Sequence, residues 1–380
     1  MSLFVDMVLN GAGHGEVAQA LQQAHFDPGV FRPFIGSDGR KYVTVINSDG
    51  KKETVTVRDY KEATGFDHPV LNASSLRKEE WTRIDAQVQK VARLRLRAWS
   101  DLAASNLYRV NGMAMTMLEH ESMNDPGSAQ VDMDALTEGK ADTPLFSLQG
   151  IPLPITHGSF FYSSRTLQIS RTRGSQIDTV MAEAVARRIA ETIEGTVIGT
   201  ITGIRYGTSA FGYTNTAQVY GYTNFPQRLT KTDLTAPTGS NPEATVQDVL
   251  EMLEQMSAQN FYGPFMLYHS TDWDKYLDND YARLGGNNAT MTLRERLKKI
   301  EGIQDVRRID SLKSATNPFT FILVQMTSDV AQAIEGMPMQ TIQWDSRGGL
   351  QTNFKVMTIM VPRLRADGAG QCGILHATTS

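Results

Sequence analysis

With 380 residues the chain is long enough for two domains or one large elaborated one, and either buries a sizeable core. Hydrophobic residues at 41% and charged residues at 21% are ordinary for a globular protein, and a formal net charge of −4 argues against a surface that is a nucleic-acid footprint throughout. The single cysteine, Cys372, excludes an internal disulfide and a thiolate metal cluster, and it fits a reducing compartment.

The opening "MSLFVDMVLNGAGHG" lacks a basic n-region and its apolar run is broken by Asp6, so it reads poorly as a signal peptide. No run approaches the roughly 20 apolar residues that span a bilayer, so no membrane partner is expected. Turn signals recur through residues 1–74, in "GAGHGE", "FDPGVFRPF", "GSDGRKY" and "NSDGKKE". Between them "KYVTVI" and "ETVTV" flank Ser48-Asp49-Gly50, the chemistry of a β-hairpin. Few large apolar side chains are available here, so this stretch reads as an arm that borrows its buried surface from elsewhere.

A long helix is expected next, from about Ser75 to about Ser105. Ser75 suits an N-cap, and Trp81, Ile84, Val88, Val91, Leu94, Ala98 and Leu102 recur at helical spacing. Between Leu76 and Arg109 stand eight Lys or Arg against four Asp or Glu, so the element is locally basic. Arg93, Arg95 and Arg97 suit either a phosphate backbone or the acidic residues of a neighbouring subunit. Residues 106–170 then read as two extended arms joined by polar turns. Pro152 and Pro154 argue against a central strand, so the pair is expected to project and to need a neighbour.

A second helix is expected from Gln176 to about Ile198, about 34 Å long at ~1.5 Å per residue. Ser175 and Asp178 resemble a capping pair, and Ile177, Met181, Val185, Ile189, Ile193 and Val197 step by four. Pro242 lies inside the start of another helix carrying Val246, Val249, Leu250, Leu253 and Met256. Beyond it, "PFMLYHS" and "FTFILVQM" read as strands, with short helices near 271–278 and at "LRERLKKI". "GMPMQTIQWDS", "LQTNFKVMTIMVPRLRAD" and "QCGILHAT" close the chain as strands. Phe354, Val356, Thr358 and Met360 alternate as a half-buried strand requires.

Groups able to do chemistry are scattered. No two of the seven histidines share a helix at i, i+4, so no helix-borne zinc site is expected. "NGAGHGE" lacks the glycine spacing of a dinucleotide loop. "TEGKAD" has Ala141 where a P-loop carries its magnesium-binding hydroxyl. Neither supports a cofactor, and none is expected. His269, Ser270 and Asp272 lie together in "FYGPFMLYHSTDWDKY", which admits a hydrolase. Triad members usually come from separate elements, and Ser270 or Thr271 also suits a helix cap.

The order of elements resembles the major capsid proteins of tailed bacteriophages, whose fold encapsulin shells share. "IPLPITHGSFFYSSRTLQISRTRGSQIDTVMAEAVARRIAETIEGTVIGTITGI" is similar to the passage through the loop return and spine helix of shell proteins. "VLEMLEQMSAQNFYGPFMLYHSTDWDKYL" is similar to their helix leading into the first axial-domain strand, and "KVMTIMVPRLRADGAGQCGIL" resembles their closing peripheral strands. The resemblance covers residues 75–380 in order and implies an α+β phage major-capsid fold. Its parts would be an N-terminal arm (1–74), a peripheral-domain helix (75–105) and an extended two-stranded loop (106–170). A spine helix with peripheral domain (171–261), an axial domain (262–345) and closing peripheral strands (346–380) would follow.

What the resemblance implies is a structural protein with no enzymatic activity. It would form homo-pentamers and homo-hexamers that close an icosahedral phage head around double-stranded DNA. It would be a virion component assembled in the bacterial host cytoplasm, touching neighbouring capsid subunits and portal, scaffold or decoration proteins. Asp280, Arg283, Gly285, Gly286, Asn287 and Asn288 would form the loop at the capsomer centre. Arg93, Arg95 and Arg97 would form an inner basic face meeting packaged DNA by charge alone, and Asn124, Asp125, Gly127 and Lys140 would mark the inter-subunit loop tip. An encapsulin-type compartment enclosing a cargo enzyme is the alternative within the fold, and a hydrolase the alternative outside it. The long arm departs from the compact encapsulin start and favours the virion.

Overall fold

In a computed structural model of the chain, the residues described are 33–36, 38–46, 52–64, 76–123, 146–172, 180–201, 203–205, 216–238, 241–279, 291–312, 317–367 and 370–379. Strands β1 (Phe34–Ile35), β2 (Lys41–Ile46) and β3 (Lys52–Thr56) open the fold, with β2 and β3 antiparallel and Ile46 opposite Lys52. The hairpin is therefore present, while its turn at Ser48-Asp49-Gly50 lies outside the described residues. Helix α1 (Val57–Thr64) follows directly, with the Asp59 amide donating to Thr56 Oγ1 at 3.1 Å. Val57 and Tyr60, at i and i+3, fall on one face of α1 and bury Val43. This corrects the expectation that the segment has no core of its own, because a helix the sequence reading missed supplies one side of it.

The small sheet is also tied to the body. β1 pairs in parallel with β4 (Leu76–Arg77), and the Trp81 indole donates to the Pro33 carbonyl at 3.0 Å. The helix expected over 75–105 is in fact two, α2 (Lys78–Arg95) and α3 (Arg97–Asn106), broken at Leu96 with φ −82° and ψ 75°. The apolar spacing runs through the break, so Trp81, Ile84, Val88, Leu96, Ala98 and Leu102 still share one core.

β5 (Leu107–Arg109) leads to β6 (Met117–Met123) and β7 (Phe146–Pro152), which form an isolated antiparallel pair from Met117 opposite Pro152 to Met123 opposite Phe146. β8 (Thr156–Ser163) returns, but the extended reading of the following stretch is overturned: Ser164–Thr172 is helix α4. Its signal is local, since the Ser163 hydroxyl accepts the Thr166 amide at 3.2 Å in the manner of an N-cap.

α5 (Val180–Ile198) ends where expected. Ile189, Ile193 and Val197 are buried as the spacing requires, together with Ala182, Ala186 and Ala190. Met181 and Val180, placed on the apolar stripe by spacing, are 48% and 62% exposed. The expected first turn of this helix, with Ser175 and Asp178, lies outside the described residues.

β9 (Gly203–Arg205) and β10 (Thr216–Gln218) form a second isolated pair. β11 (Leu229–Leu234) and α6 (Pro242–Ala258) follow, the latter with Pro242 in its first turn. α6 buries Val246, Val249, Met252 and Met256, whereas Leu250, expected inside, is 40% exposed. Then come β12 (Phe265–His269), a 3₁₀ turn (Thr271–Trp273), α7 (Asp274–Leu277), α8 (Leu293–Lys298), β13 (Ile303–Arg308) and β14 (Thr320–Gln325). β15 (Ala331–Ser346), β16 (Gln351–Leu364) and β17 (Ile374–Thr379) complete the chain.

Two sheets organise these elements. The five-stranded sheet runs β11-β17-β14-β12-β13, and the four-stranded sheet runs β5-β15-β16-β8. β17 thus returns to the sheet of β12 and β14, while β15 pairs along its length with β16. The five-stranded sheet is covered on both faces. Phe265 and Leu267 point to α6, α7 and α8, and Met266 and Tyr268 point to a core shared with α2, α3 and α5. A strand buried on both sides reads as a continuous apolar run, which is the pattern of "FTFILVQM". β16 was expected to be half-buried. Phe354 and Val356 do face the helices, but Met357, Ile359 and Val361 are also buried, under Leu118 and Leu153 at the base of the β6–β7 pair and under Val219. The alternation was sound, and the second cover comes from residues remote in sequence.

Candidate functional site: a buried polar junction and uncovered apolar surface

A buried polar junction lies where α3, α5 and the five-stranded sheet meet. Glu194, 6% exposed on α5, accepts the Ala98 amide at 2.8 Å and the Trp99 amide at 3.4 Å, the first free N–H groups of α3. A helix restarted at Leu96 exposes such amides, and a carboxylate there satisfies both their hydrogen bonds and the positive end of the helix dipole. Burial nevertheless lifts the Glu194 carboxyl to about 7, against the lowering effect of those amides. Asp101, also buried, is raised by burial despite Arg307 and the Tyr268 hydroxyl, which donates to it at 3.2 Å. Tyr268 in turn stacks on Tyr222, ring centroids 6.1 Å apart.

The histidine that admitted a hydrolase sits beside this junction and is fully buried. Arg294 Nη1 lies 3.1 Å from His269 Nε2, and a guanidinium only donates, so Nε2 is the acceptor. Nδ1 therefore carries the proton and donates to the Ser270 carbonyl at 3.0 Å. Burial, with the Arg294 charge beside the ring, brings the imidazole pKa down to about 4. The Ser270 hydroxyl donates to the Pro318 carbonyl and not to His269. Both ring nitrogens and the hydroxyl are thus committed to structure, and the pair is not arranged as base and nucleophile. Ser270 does occupy the N-cap position of the 3₁₀ turn, though its hydroxyl makes no cap hydrogen bond. Asp274 receives Arg308 Nη1 at 2.9 Å and Arg294 Nη2 at 3.1 Å. Burial opposes its ionisation, but these two hydrogen bonds hold its carboxyl below the usual range. Among the described residues no three His, Cys, Asp or Glu side chains are grouped to hold a metal ion.

Of the residues expected at functional positions, Arg97 is exposed on α3 and its Nη1 reaches the Arg308 carbonyl at 3.4 Å. It shares a cleft of about 520 Å³ with Glu191, Glu194, Arg308 and Asp310, so its surroundings are mixed in charge and not a uniform basic face. Arg93 and Arg95 lie on α2, and their side chains are outside the described residues, as are Asn124, Asp125, Gly127 and Lys140. The same holds for Asp280, Arg283, Gly285, Gly286, Asn287 and Asn288.

Large apolar side chains are left uncovered at several places. Phe161 on β8 is 61% exposed, Leu350 at the β15–β16 turn 72%, and Tyr262 before β12 71%. Val180 and Met181 at the start of α5 and Met117 on β6 add to them. Singly these are unremarkable, and those at the start of α5 and on β6 lie next to the residues that the core does cover, Ala182 and Leu118. No helix among the described residues is long and apolar enough to cross a membrane.

The architecture has solved counterparts. A virus-like particle from Pyrococcus furiosus matches with a TM-score of 0.53 at 14% identity, over 79% of this chain and 99% of that one. The capsid of Myoviridae phage XM1 matches with a TM-score of 0.53 at 14% identity, over 73% of this chain and 92% of that one. The capsid of a native GTA particle gives a TM-score of 0.50 at 13% identity, over 75% and 91%. The fold is therefore the phage major-capsid fold that the order of elements implied. No curated protein matches in sequence. Residues 72–377 match the profile described as "Family of unknown function (DUF6260)", and the chain belongs to that family.

Proposed function

We propose that the chain is the shell-forming subunit of a phage head, a major capsid protein that assembles into pentamers and hexamers and encloses double-stranded DNA. The observation that carries this reading is the span of the match. It takes in 99% of a virus-like-particle subunit and 92% of a phage capsid subunit, so a whole shell tile is represented and not a shared fragment. The uncovered apolar residues on α5 and β6 support it, because copies of the chain would supply their cover. In this reading the four-stranded sheet with α2, α3 and α5 would be the peripheral body and the five-stranded sheet with α6 the axial body. That moves β15 out of the expected axial span 262–345, and β11, α6 and β17 out of the expected peripheral spans 171–261 and 346–380. The β6–β7 pair would be the base of the extended loop, and residues 1–74 the arm. Asp280 to Asn288 would line the capsomer centre, Asn124 to Lys140 the inter-subunit loop tip, and Arg93, Arg95 and Arg97 the DNA-facing side. Portal, scaffold and decoration proteins would be further partners, the virion the final location and the bacterial cytoplasm the place of assembly.

A cargo-enclosing compartment is the second reading, favoured by the equal TM-scores to a Pyrococcus virus-like particle and a phage capsid. Electron microscopy of particles from cells expressing the chain, with nuclease protection of their contents, tests both. DNA-protecting shells are expected. Uniform small shells holding a co-purifying enzyme would transfer the assignment to the compartment, and the absence of shells would remove both.

A further inference from the structure

At the base of the β6–β7 pair lies a positive cluster with no acidic partner among the described residues. Arg363 on β16 is 6% exposed, its Nε has no hydrogen-bond partner, and its guanidinium lies 5.4 Å from the centre of the Tyr108 ring. Arg365, two residues on, also has an unpartnered Nε, and His120 on β6 has an unpartnered Nδ1. Neither arginine makes an ion pair among the described residues. Burial, followed by the charges of Arg365 and Arg363, holds the His120 imidazole below its usual range. For Arg363 burial dominates, then repulsion by Arg365, and its pKa falls to about 10. A buried guanidinium without a counter-charge is costly, and an anion brought beside Arg363 and Arg365 would offset that cost.

The chain carries such an anion itself. Residues 125–142 hold five carboxylates, Asp125, Asp132, Asp134, Glu138 and Asp142, against the single Lys140. We propose that Arg363, Arg365 and His120 form a carboxylate-docking site on the loop-facing side of β16, filled by the acidic 125–142 segment of a second copy of this chain. The site favours a side-chain carboxylate over a nucleic-acid backbone. Phosphate contacts are typically made by exposed cations along a groove, whereas Arg363 is sunk beside the Tyr108 ring and open over a small area. The proposal rests on the shell reading for the presence of a second copy, but binding at the site is measurable without shells.

The test is a fluorescently labelled peptide of residues 121–145 titrated against the full chain at low salt, followed by anisotropy. Saturable binding is expected, weakened about tenfold by Arg365→Glu, the loss of one charge-assisted contact. Binding should fall as sodium chloride rises and vanish for a peptide whose acids are replaced by Asn and Gln. Arg365 is only half-buried, and Arg365→Gln with far-UV circular dichroism separates loss of charge from loss of fold. No peptide binding, equal binding by Arg365→Glu, or tighter binding of a DNA oligonucleotide that displaces the peptide would each overturn the proposal. Shells without peptide binding would sink the docking site alone, and peptide binding without shells would sink the shell reading alone.

Discussion

Glu194 shows how one side chain fixes the relation between two helices. Its carboxyl reaches from α5 to the first amides of α3, 96 residues earlier in the chain, and it does so out of water. Its pKa in the fold is about 7 against an ordinary 4.5, so the group is raised. Its contribution is fully present below pH 4.5 and is lost as pH rises through 7, about 3 kcal/mol by linkage. Urea unfolding of wild type and Glu194→Gln across pH 4.5–8 should show the difference between them shrinking or reversing as pH rises. A difference independent of pH would contradict the raised carboxyl. Nothing in the local sequence singled out Glu194. Its neighbour Glu191 is an i, i+4 partner of Arg187, the two 3.9 Å apart, a pairing set by helical geometry alone. A cap supplied from a distant helix leaves no such periodic trace.

At the scale of elements, patterns internal to one segment were readable, and features dependent on a partner were not. The hairpin at 41–56, α5 from its spacing and α6 from Pro242 were all legible. α1 and α4 were missed, since each is short and its apolar face makes sense only against a strand that must first be placed. β13 went unrecognised because its two buried residues, Ile303 and Val306, stand three apart in "IQDVRR" and not in strand alternation, the register against β12 shifting after Phe265. The end of α5 is another such case. Gly199 turns out of the helix at φ +98°, and the Tyr222 and Thr223 amides donate to the Val197 and Ile198 carbonyls at 3.0 and 2.8 Å. Gly221 passes so close that a Cβ there would sit 2.3 Å from the Gly199 nitrogen and 2.5 Å from the Thr196 oxygen. Gly221→Ala should therefore lower stability by about 2 kcal/mol or more, read as the urea midpoint. An unchanged midpoint would show that the two segments are not packed this way. The β6–β7 pair gives a complementary expectation. Replacing residues 124–145 by a short turn should preserve the β6–β7 register and the urea midpoint while sharply reducing particle yield. Normal particle yield would remove the loop from the assembly account.

Over the whole molecule, the two sheets are built from pairings that no local signal announces. β17 closes a sheet begun at β11 more than a hundred residues earlier, and β8 reaches β16 across about half of the chain. The fold class was reached through the resemblance of the quoted passages, in their order along the chain, to tailed-phage capsid proteins. The sites named along the chain were less accessible, because under the proposed shell reading function lies in surfaces between copies and not in a reactive cluster. The commitment of His269 and Ser270 to structural hydrogen bonds is the counterpart of that: polar groups a hydrolase would aim at substrate are here turned inward. Val180, Met181 and Met117 point the other way, outward to where the proposed reading sets a second copy. That contrast is the physical core of the account, and sedimentation velocity of the purified full chain over a wide concentration range addresses it directly. Boundaries of megadalton size, or discrete capsomers that grow into them, are expected. A single species at 42.1 kDa at every concentration would contradict it.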